Sequence, residues 1–590
     1  VPRSTDTVTI RARLEDTSER GLSANLFYRV SSLEAPEFST VVMSDDGLHD
    51  DGDAGDGLFA ANLPAMEDGT VVEFYVSATD GGNVRTWPAP TTIGQVANLH
   101  YQVDDEPNPE GEGIYRVVMT RTESRAFSRI DRDSNAQHHC TLIADDCSGP
   151  VVRYQCGLRV RGASSRQDNP PPMRLNLPRD RPWNGASQMN LNTQFTWLQF
   201  IGMKLFQASD LPAPDSKRIA FRRNGQNPAR DSEEDYGSFV HVQPLNYEFV
   251  DDMMAGDPQG NLYKKVRPDV SWAYRGGNLE RYARDGWGKQ TNESENDWTD
   301  LDEFLRVMNQ ADNDADYLDQ VEAVANLDQW MRWFAVETLI ANGETNASNG
   351  TDDDYSIYRG ALDPRFMFIP HDLDTILGRG DGSRITNPEH TLFDMVRSGE
   401  ALEPLIPLFE EPSIRARYFQ SLRDLIQSSF SKERFDALLI NHLSGWVPQG
   451  VLEDLIDFMD ARRVFVRGIV DEELGPVPPS LAPATLLSEE SSHGTLYLSE
   501  VLAVNESAHE VDGRFPDYIE LANAGSRRSL SGYSITDDPA ETRKFVFPAG
   551  VEIGAGQRLL IYADSAPGPG MRIGFSLNGA GEQVLLYNPD

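Results

Sequence analysis

The stretch Phe366-Met367-Phe368-Ile369-Pro370-His371-Asp372-Leu373-Asp374-Thr375-Ile376-Leu377-Gly378 is an apolar run ending in two aspartates, after which the chain reaches a glycine. Read as a strand end, it puts Asp372 and Asp374 on one side of the chain, because strand side chains alternate between faces. Two carboxylates so placed can share a hard divalent cation that carries a phosphate substrate. Just upstream, an apolar helical pattern ending near Ile340 runs into a polar loop with Glu344 and, five residues on, Asn349. A strand pattern, Tyr355-Ser356-Ile357-Tyr358-Arg359, follows it. An acid to accept a hydroxyl proton, then an amide oxygen for a second metal contact, is the layout of a phosphoryl-transfer loop. Alone, Asp-x-Asp fits turn or helix-capping aspartates equally well. The two stretches in succession favour the chemistry.

These residues need a scaffold, and residues 114–475 read as one large α+β region, strand-rich first and helical later. Tyr154–Arg161 alternates as a strand does, and Leu327–Ile340 carries apolar residues at helical spacing, which assigns Trp330 and Trp333 to a core. Residues 1–104 read as short alternating strands separated by turns, an all-β sandwich. Its loop Asp45–Gly57 is rich in aspartate and glycine, and Asp46, Asp51, Asp53 and Asp56 would suit calcium or form a solvated acidic hairpin. Residues 105–113 and 476–494 are linkers rich in proline or glycine, and 495–590 returns to a second all-β sandwich. Cys140 and Cys147 are close enough in sequence for a loop disulfide, while Cys156 sits in an apolar strand pattern. Arg222 and Arg223 read as a local phosphate-binding spot or, equally, as ordinary exposed strand arginines.

Several segments together resemble the CotH family, named for spore-coat proteins and possessing a divergent kinase fold. They are Gly157-Leu158-Arg159-Val160-Arg161-Gly162-Ala163-Ser164-Ser165-Arg166, Gly260-Asn261-Leu262-Tyr263-Lys264, the loop from Asn342 to Tyr358, and Ile369–Asp374. The resemblance implies magnesium- or manganese-dependent transfer of phosphate from ATP to serine or threonine of exported proteins. It implies metal binding by Asp372, with Asp374 second, and by Asn349, and a catalytic acid at Glu344. Arg161, Arg174 and Lys264 would meet the nucleotide. Three departures stand out. Glu344 replaces an aspartate and reaches about 1.5 Å further. Arg174 stands where a lysine is usual, presenting a planar fork rather than a point charge. Gln243 ends a strand that normally ends in glutamate. The flanks resemble an immunoglobulin-like module and, through Leu498-Ser499-Glu500-Val501 and Asp517–Asn523, a lamin-tail domain whose usual last strands lie beyond Asp590.

The chain has 590 residues, 39% apolar, with 93 acidic and 53 basic residues and a net charge of −40. That composition supports several buried cores, and its surface repels phosphate backbones and anionic lipid, which excludes a general nucleic-acid binder. No apolar run approaches the ~18 residues of a membrane span. Three cysteines exclude a disulfide-stapled scaffold. A polar start at Val1 reads as a mature or trimmed product, and the acidity fits export to a bacterial surface or medium. The expected partner is a protein bearing serine or threonine, with basic segments favoured by charge. The rival reading is a non-catalytic kinase-like scaffold in a surface or matrix protein.

Overall fold

The computed structural model describes all residues except 17–20, 110–111, 266–271, 311–315, 346–353, 383, 393–403, 476–495, 506–510, 512–513, 524–527, 540, 549–550, 554–557, 565–570, 579–583 and 589–590. It divides into two compact units, Val1–Pro476 and Val477–Asp590. No helix among the described residues is long and apolar enough to cross a membrane.

The N-terminal sandwich sets β1 (Val8–Arg13) against β4 (Leu58–Leu63). Its second sheet orders β3 (Ser39–Met43), β2 (Ser23–Val30), β5 (Val71–Thr79) and β6 (Val84–Trp87), with β7 (Leu99–Gln102) also on β5. Alternation along each strand buries Ile10, Leu26, Phe74 and Leu63 between the sheets. The acidic loop between β3 and β4 turns its carboxylates on its own backbone. Asp51 is buried and accepts the N–H groups of Asp46 (2.6 Å), Gly47 (3.1 Å) and His49 (3.1 Å). Asp56 accepts Leu58 N–H at 2.8 Å, and Asp46 meets His49 Nδ1 at 2.8 Å. Among the described residues no group of three or more His, Cys, Asp or Glu is placed to hold an ion, here or elsewhere.

The segment read as a linker is pinned. Arg116 Nε donates to Asp104 at 2.8 Å, and Arg222 donates to Asp104 (3.2 Å) and Glu106 (2.6 Å). Arg222 is thus buried in an ion-pair network, not an exposed strand arginine.

The next seven strands close into a barrel ordered β10 (Val151–Val160), β11 (Met173–Asn176), β12 (Gln188–Asn192), β14 (Phe239–Val242), β13 (Ser216–Arg223), β8 (Gly113–Val118) and β9 (His138–Asp145). Only β13 and β8 run parallel. Cys140 and Cys156 are register partners inside the barrel and all three thiols are free, so Cys147, exposed on its turn, is not the neighbour of Cys140. A four-stranded antiparallel sheet follows, ordered β16 (Trp287–Lys289), β15 (Asn261–Lys265), β17 (Tyr355–Arg359) and β18 (Met367–Pro370).

Four helices frame the site: α1 (Thr196–Ala208), α2 (Leu327–Leu339), α3 (Pro412–Gln427) and α4 (Gln449–Leu474). Asn326 caps α2 by accepting Gln329 N–H at 3.2 Å. At its other end, buried Arg462 of α4 donates to the Thr338 carbonyl at 2.9 Å, a cation against the negative end of the helix. Trp330 and Trp333 are fully buried.

In the second unit, Leu496–Leu502, Asp517–Asn523, Arg558–Ala563 and Met571–Arg572 form a sheet in that order. Its core includes Ile519, Leu521, Ile535 and Ile561.

Candidate active site

Two chain segments must meet for any chemistry here, and aromatic packing brings them together. Trp333 of α2 stacks on Phe368 of β18 with ring centroids 4.6 Å apart. Gln329 grips the Phe368 backbone from both sides, donating at 2.8 Å and accepting at 3.0 Å. The helix that delivers Glu344 is therefore bolted to the strand that delivers Asp372. Beyond those elements the loops are stitched directly: Gly343 N–H donates to the Thr375 carbonyl at 2.9 Å, and Leu377 N–H to the Ile340 carbonyl at 2.6 Å.

Asp372 and Asp374 do not sit on one strand face. β18 ends at Pro370, and Asp372 adopts a left-handed backbone with φ 53°. The alternation expected from the sequence thus stops before the aspartates. They are neighbours all the same. Burial raises the Asp374 carboxyl well above the usual range, and the charges of Asp372, Glu344 and Asp381 push it the same way. Asp372 is exposed, Asp374 and Glu344 are half-buried, and Thr375 Oγ1 donates to Asp374 at 3.0 Å. Asn349 lies outside the described residues.

Glu344 is braced from behind. Asn342 accepts its backbone N–H at 2.9 Å and donates its own amide to buried Glu337 at 2.7 Å. Burial holds the Glu337 carboxyl well above its ordinary value, opposed only by its hydrogen bond to Asn342.

Beside Asp372 stand three cations in one open hollow of about 480 Å³, which also takes in His371 and Gln243. Arg161 follows β10, Arg174 lies on β11 and Lys264 on β15. Arg174 and Asn190 are register partners on β11 and β12, and Arg174 Nε donates to Asn190 Oδ1 at 3.0 Å. Arg161 donates to Asn192 Oδ1, whose amide donates to Gln199 of α1 at 2.5 Å. Lys264 makes no hydrogen bond or ion pair among the described residues. The arginines are thus oriented by neutral amides that leave their charge uncancelled. Burial pushes Arg174 down to about 10, helped by the charges of Arg161 and Arg159. Burial also lowers Arg161 and Lys264; Asp372 opposes the shift in both, and Arg161 adds to it at Lys264. His371 is held well below its ordinary value by burial, then by Lys264 and Arg161, and is neutral.

Three crowded cations beside Asp372, itself a charged neighbour of Asp374, can grip a polyanion together with a hard cation. The donors are all oxygens, as magnesium or manganese requires. Gln243 leaves the cations alone, donating to Asp252 at 2.6 Å and accepting Asp215 N–H at 3.2 Å.

Sequence reasoning missed Asn190, Asn192 and Gln199, although the Asn190-Leu191-Asn192 alternation put both amides on one strand face. It also missed Gly202 of α1, where an added Cβ would lie 2.8 Å from Leu373 Cβ. That close approach seats the helix on the Asp372–Asp374 segment.

Comparison with protein families matches residues 158–454 to the CotH kinase protein family, 489–590 to the lamin tail domain, and 5–82 to the second Ig-like domain of conditioned medium factor. Among solved structures the chain is similar to CtkA, a Helicobacter pylori proinflammatory kinase, at 9% identity. That match covers 54% of this chain and 95% of the other, with a TM-score of 0.26. No curated protein sequence matches the chain.

Proposed function

We propose that this chain, which belongs to the CotH kinase protein family, transfers the terminal phosphate of ATP to serine or threonine side chains of protein substrates. The observation that carries the reading is one hollow lined by Arg161, Arg174, Lys264 and Asp372, with the charges of Asp372 and Glu344 acting in turn on Asp374. A scaffold gains nothing from crowding three cations around a hollow whose lining, among the described residues, holds a single carboxylate, Asp372.

In this reading Arg161, Arg174 and Lys264 bind the triphosphate oxygens and neutralise charge that shifts toward the leaving diphosphate. Asp372 and Asp374 would hold magnesium or manganese, with Asn349 in the same role, and the ion would supply electrostatic stabilisation of the phosphate oxygens. Glu344 orients the substrate hydroxyl and accepts its proton as the new oxygen–phosphorus bond forms and the bond to the leaving ADP breaks. Asn342 and Glu337 fix the reach of that longer acid. Positioning and charge do the work, and no covalent enzyme intermediate is required.

A net charge of −40 favours basic segments as substrates. The two β-sandwich modules flanking the kinase region support an exported or cell-surface setting. The test is transfer of labelled phosphate from ATP, with magnesium or manganese, to the protein itself and to a basic serine-rich peptide. Label that appears with the native chain and vanishes with Asp372→Ala supports the reading. Absence of both transfer and nucleotide-induced thermal stabilisation refutes it.

A further inference from the structure

The N-terminal sandwich is open along one side. Among the described residues β1 pairs only with β4 and β6 only with β5, so each presents an edge of backbone N–H and C=O groups with no ladder partner. Between these edges runs an open cleft of about 1150 Å³. Its inner wall is apolar: Ile10 and Ala12 of β1 face Val76 and Ala78 of β5. Tyr154 of β10 closes the cleft's floor, edge-on to Phe74 at 6.1 Å and to Trp87 at 6.3 Å. The barrel thus completes the cleft, which the sandwich alone would lack.

The rim carries the opposite sign to the chain as a whole. Of the 15 lining residues, four are arginines (Arg11, Arg13, Arg85 and Arg181) and none is acidic. Arg85 is exposed and has no ion pair among the described residues. Arg13 reaches only the Asp56 carbonyl, at 3.3 Å. Arg181 lies 5.8 Å over the Trp87 ring, with its sequence neighbour Asp180 at 3.9 Å. Among the described residues Arg11 has the closest carboxylate of the four, Asp50. For a chain of net charge −40 this is a local reversal of potential.

We propose that this cleft binds an extended segment of another protein, alternating apolar and acidic side chains, laid along β1 as an added strand. A strand's period of two sends alternate residues into the apolar cleft and the others to the arginine rim. Main-chain bonds to the β1 edge would supply affinity and the side chains specificity. A second copy of this chain is a poor occupant, because pairing two β1 edges sets rows of Arg11 and Arg13 against each other. β1 has six residues, enough to align about 20 Å of added strand. The proposal shares no residue with the phosphate-transfer site and stands independently of it.

The test uses the full chain and a labelled peptide of about ten residues alternating valine and glutamate, beside its valine–lysine counterpart and heparin as a bare polyanion. The expected result is saturable binding of the acidic peptide, at least ~10-fold tighter than the lysine peptide. Arg85→Glu, at an exposed position, should weaken it by about 10-fold while leaving thermal unfolding unchanged. Hydrogen exchange should slow at the β1 amides on binding. Equal affinity for both peptides, or no response to Arg85→Glu, overturns the proposal. Heparin binding as tightly as the acidic peptide without β1 protection also overturns it, in favour of a simple anion patch.

Discussion

The N–H of Gly343 donates to the carbonyl of Thr375 at 2.9 Å, tying the loop that bears Glu344 to the segment that bears Asp372 and Asp374. Both partners are backbone groups, so the link survives side-chain exchange and fixes the separation between acid and metal-binding candidates. Anything that moves one segment moves the other.

Gly202→Ala should displace that assembly. The new methyl would meet Leu373 Cβ at 2.8 Å. Overpacking costs about 1–3 kcal/mol, partly offset by ~1 kcal/mol of helix propensity gained on replacing glycine. Phosphate transfer should fall mainly in kcat, with melting temperature lowered by a few degrees. Adding Leu373→Ala should restore part of the rate; if Gly202→Ala leaves both rate and stability untouched, the contact does not position the segment.

Arg174→Ala should weaken ATP about 10- to 100-fold, because a hydrogen bond to a charged group contributes about 1.5–3 kcal/mol. Arg174→Lys should retain much of the affinity, a point charge replacing a fork. Titration calorimetry reads both. Equal affinity of Arg174→Ala and the native chain would remove Arg174 from the site.

Acid should loosen the junction between the N-terminal sandwich and the barrel. Burial raises the Asp104 carboxyl, but its hydrogen bond to Arg116 and the charges of Arg116 and Arg222 outweigh this and lower it overall. A lowered carboxyl contributes stability above its unfolded pKa of about 3.9, and that contribution is lost as pH falls through the still lower folded value. Urea midpoints should therefore drop below about pH 4 in the native chain, and drop less in Asp104→Asn. Arg116→Ala should cost roughly 3 kcal/mol at pH 7, the low end for a broken buried pair because Arg222 still faces Asp104. Identical acid profiles for the native chain and Asp104→Asn would contradict this.

Thiol alkylation should label Cys147 well ahead of the others. Cys140 and Cys156 are buried, and burial raises both thiols, Cys156 to about 12. Reactivity follows the thiolate, so these two should react only after unfolding. Mass spectrometry of a native alkylation time course checks it, and early labelling of Cys140 would contradict the barrel packing.

What the sequence showed best was whatever rests on local pattern. The apolar spacing around Trp330 and Trp333 placed them in a core, and the order of strands and helices revealed the α+β centre between two β-sandwiches. Relationships between distant segments were hidden. The pairing of Lys264 with Ser356, which brings a cation beside Asp372, is a sheet register with no trace in either segment alone. Arg222 looked exposed because its partners, buried Asp104 and exposed Glu106, lie at and just beyond the end of the segment read as a sandwich, where nothing local points back to it. In the acidic loop composition shows the carboxylates, but not the backbone N–H groups that Asp51 accepts. The strand alternation drawn through Asp372 failed where its backbone turns left-handed.

The central claim is that Arg161, Arg174 and Lys264 share one magnesium-bound triphosphate with Asp372 and Asp374. Calorimetric ATP affinity, measured with and without magnesium, tests it most directly. The account predicts that magnesium tightens ATP binding at least ~10-fold in the native chain and that Asp372→Ala abolishes this coupling while metal-free ATP still binds. Undetectable ATP binding by the native chain, or magnesium coupling unchanged in Asp372→Ala, would contradict it.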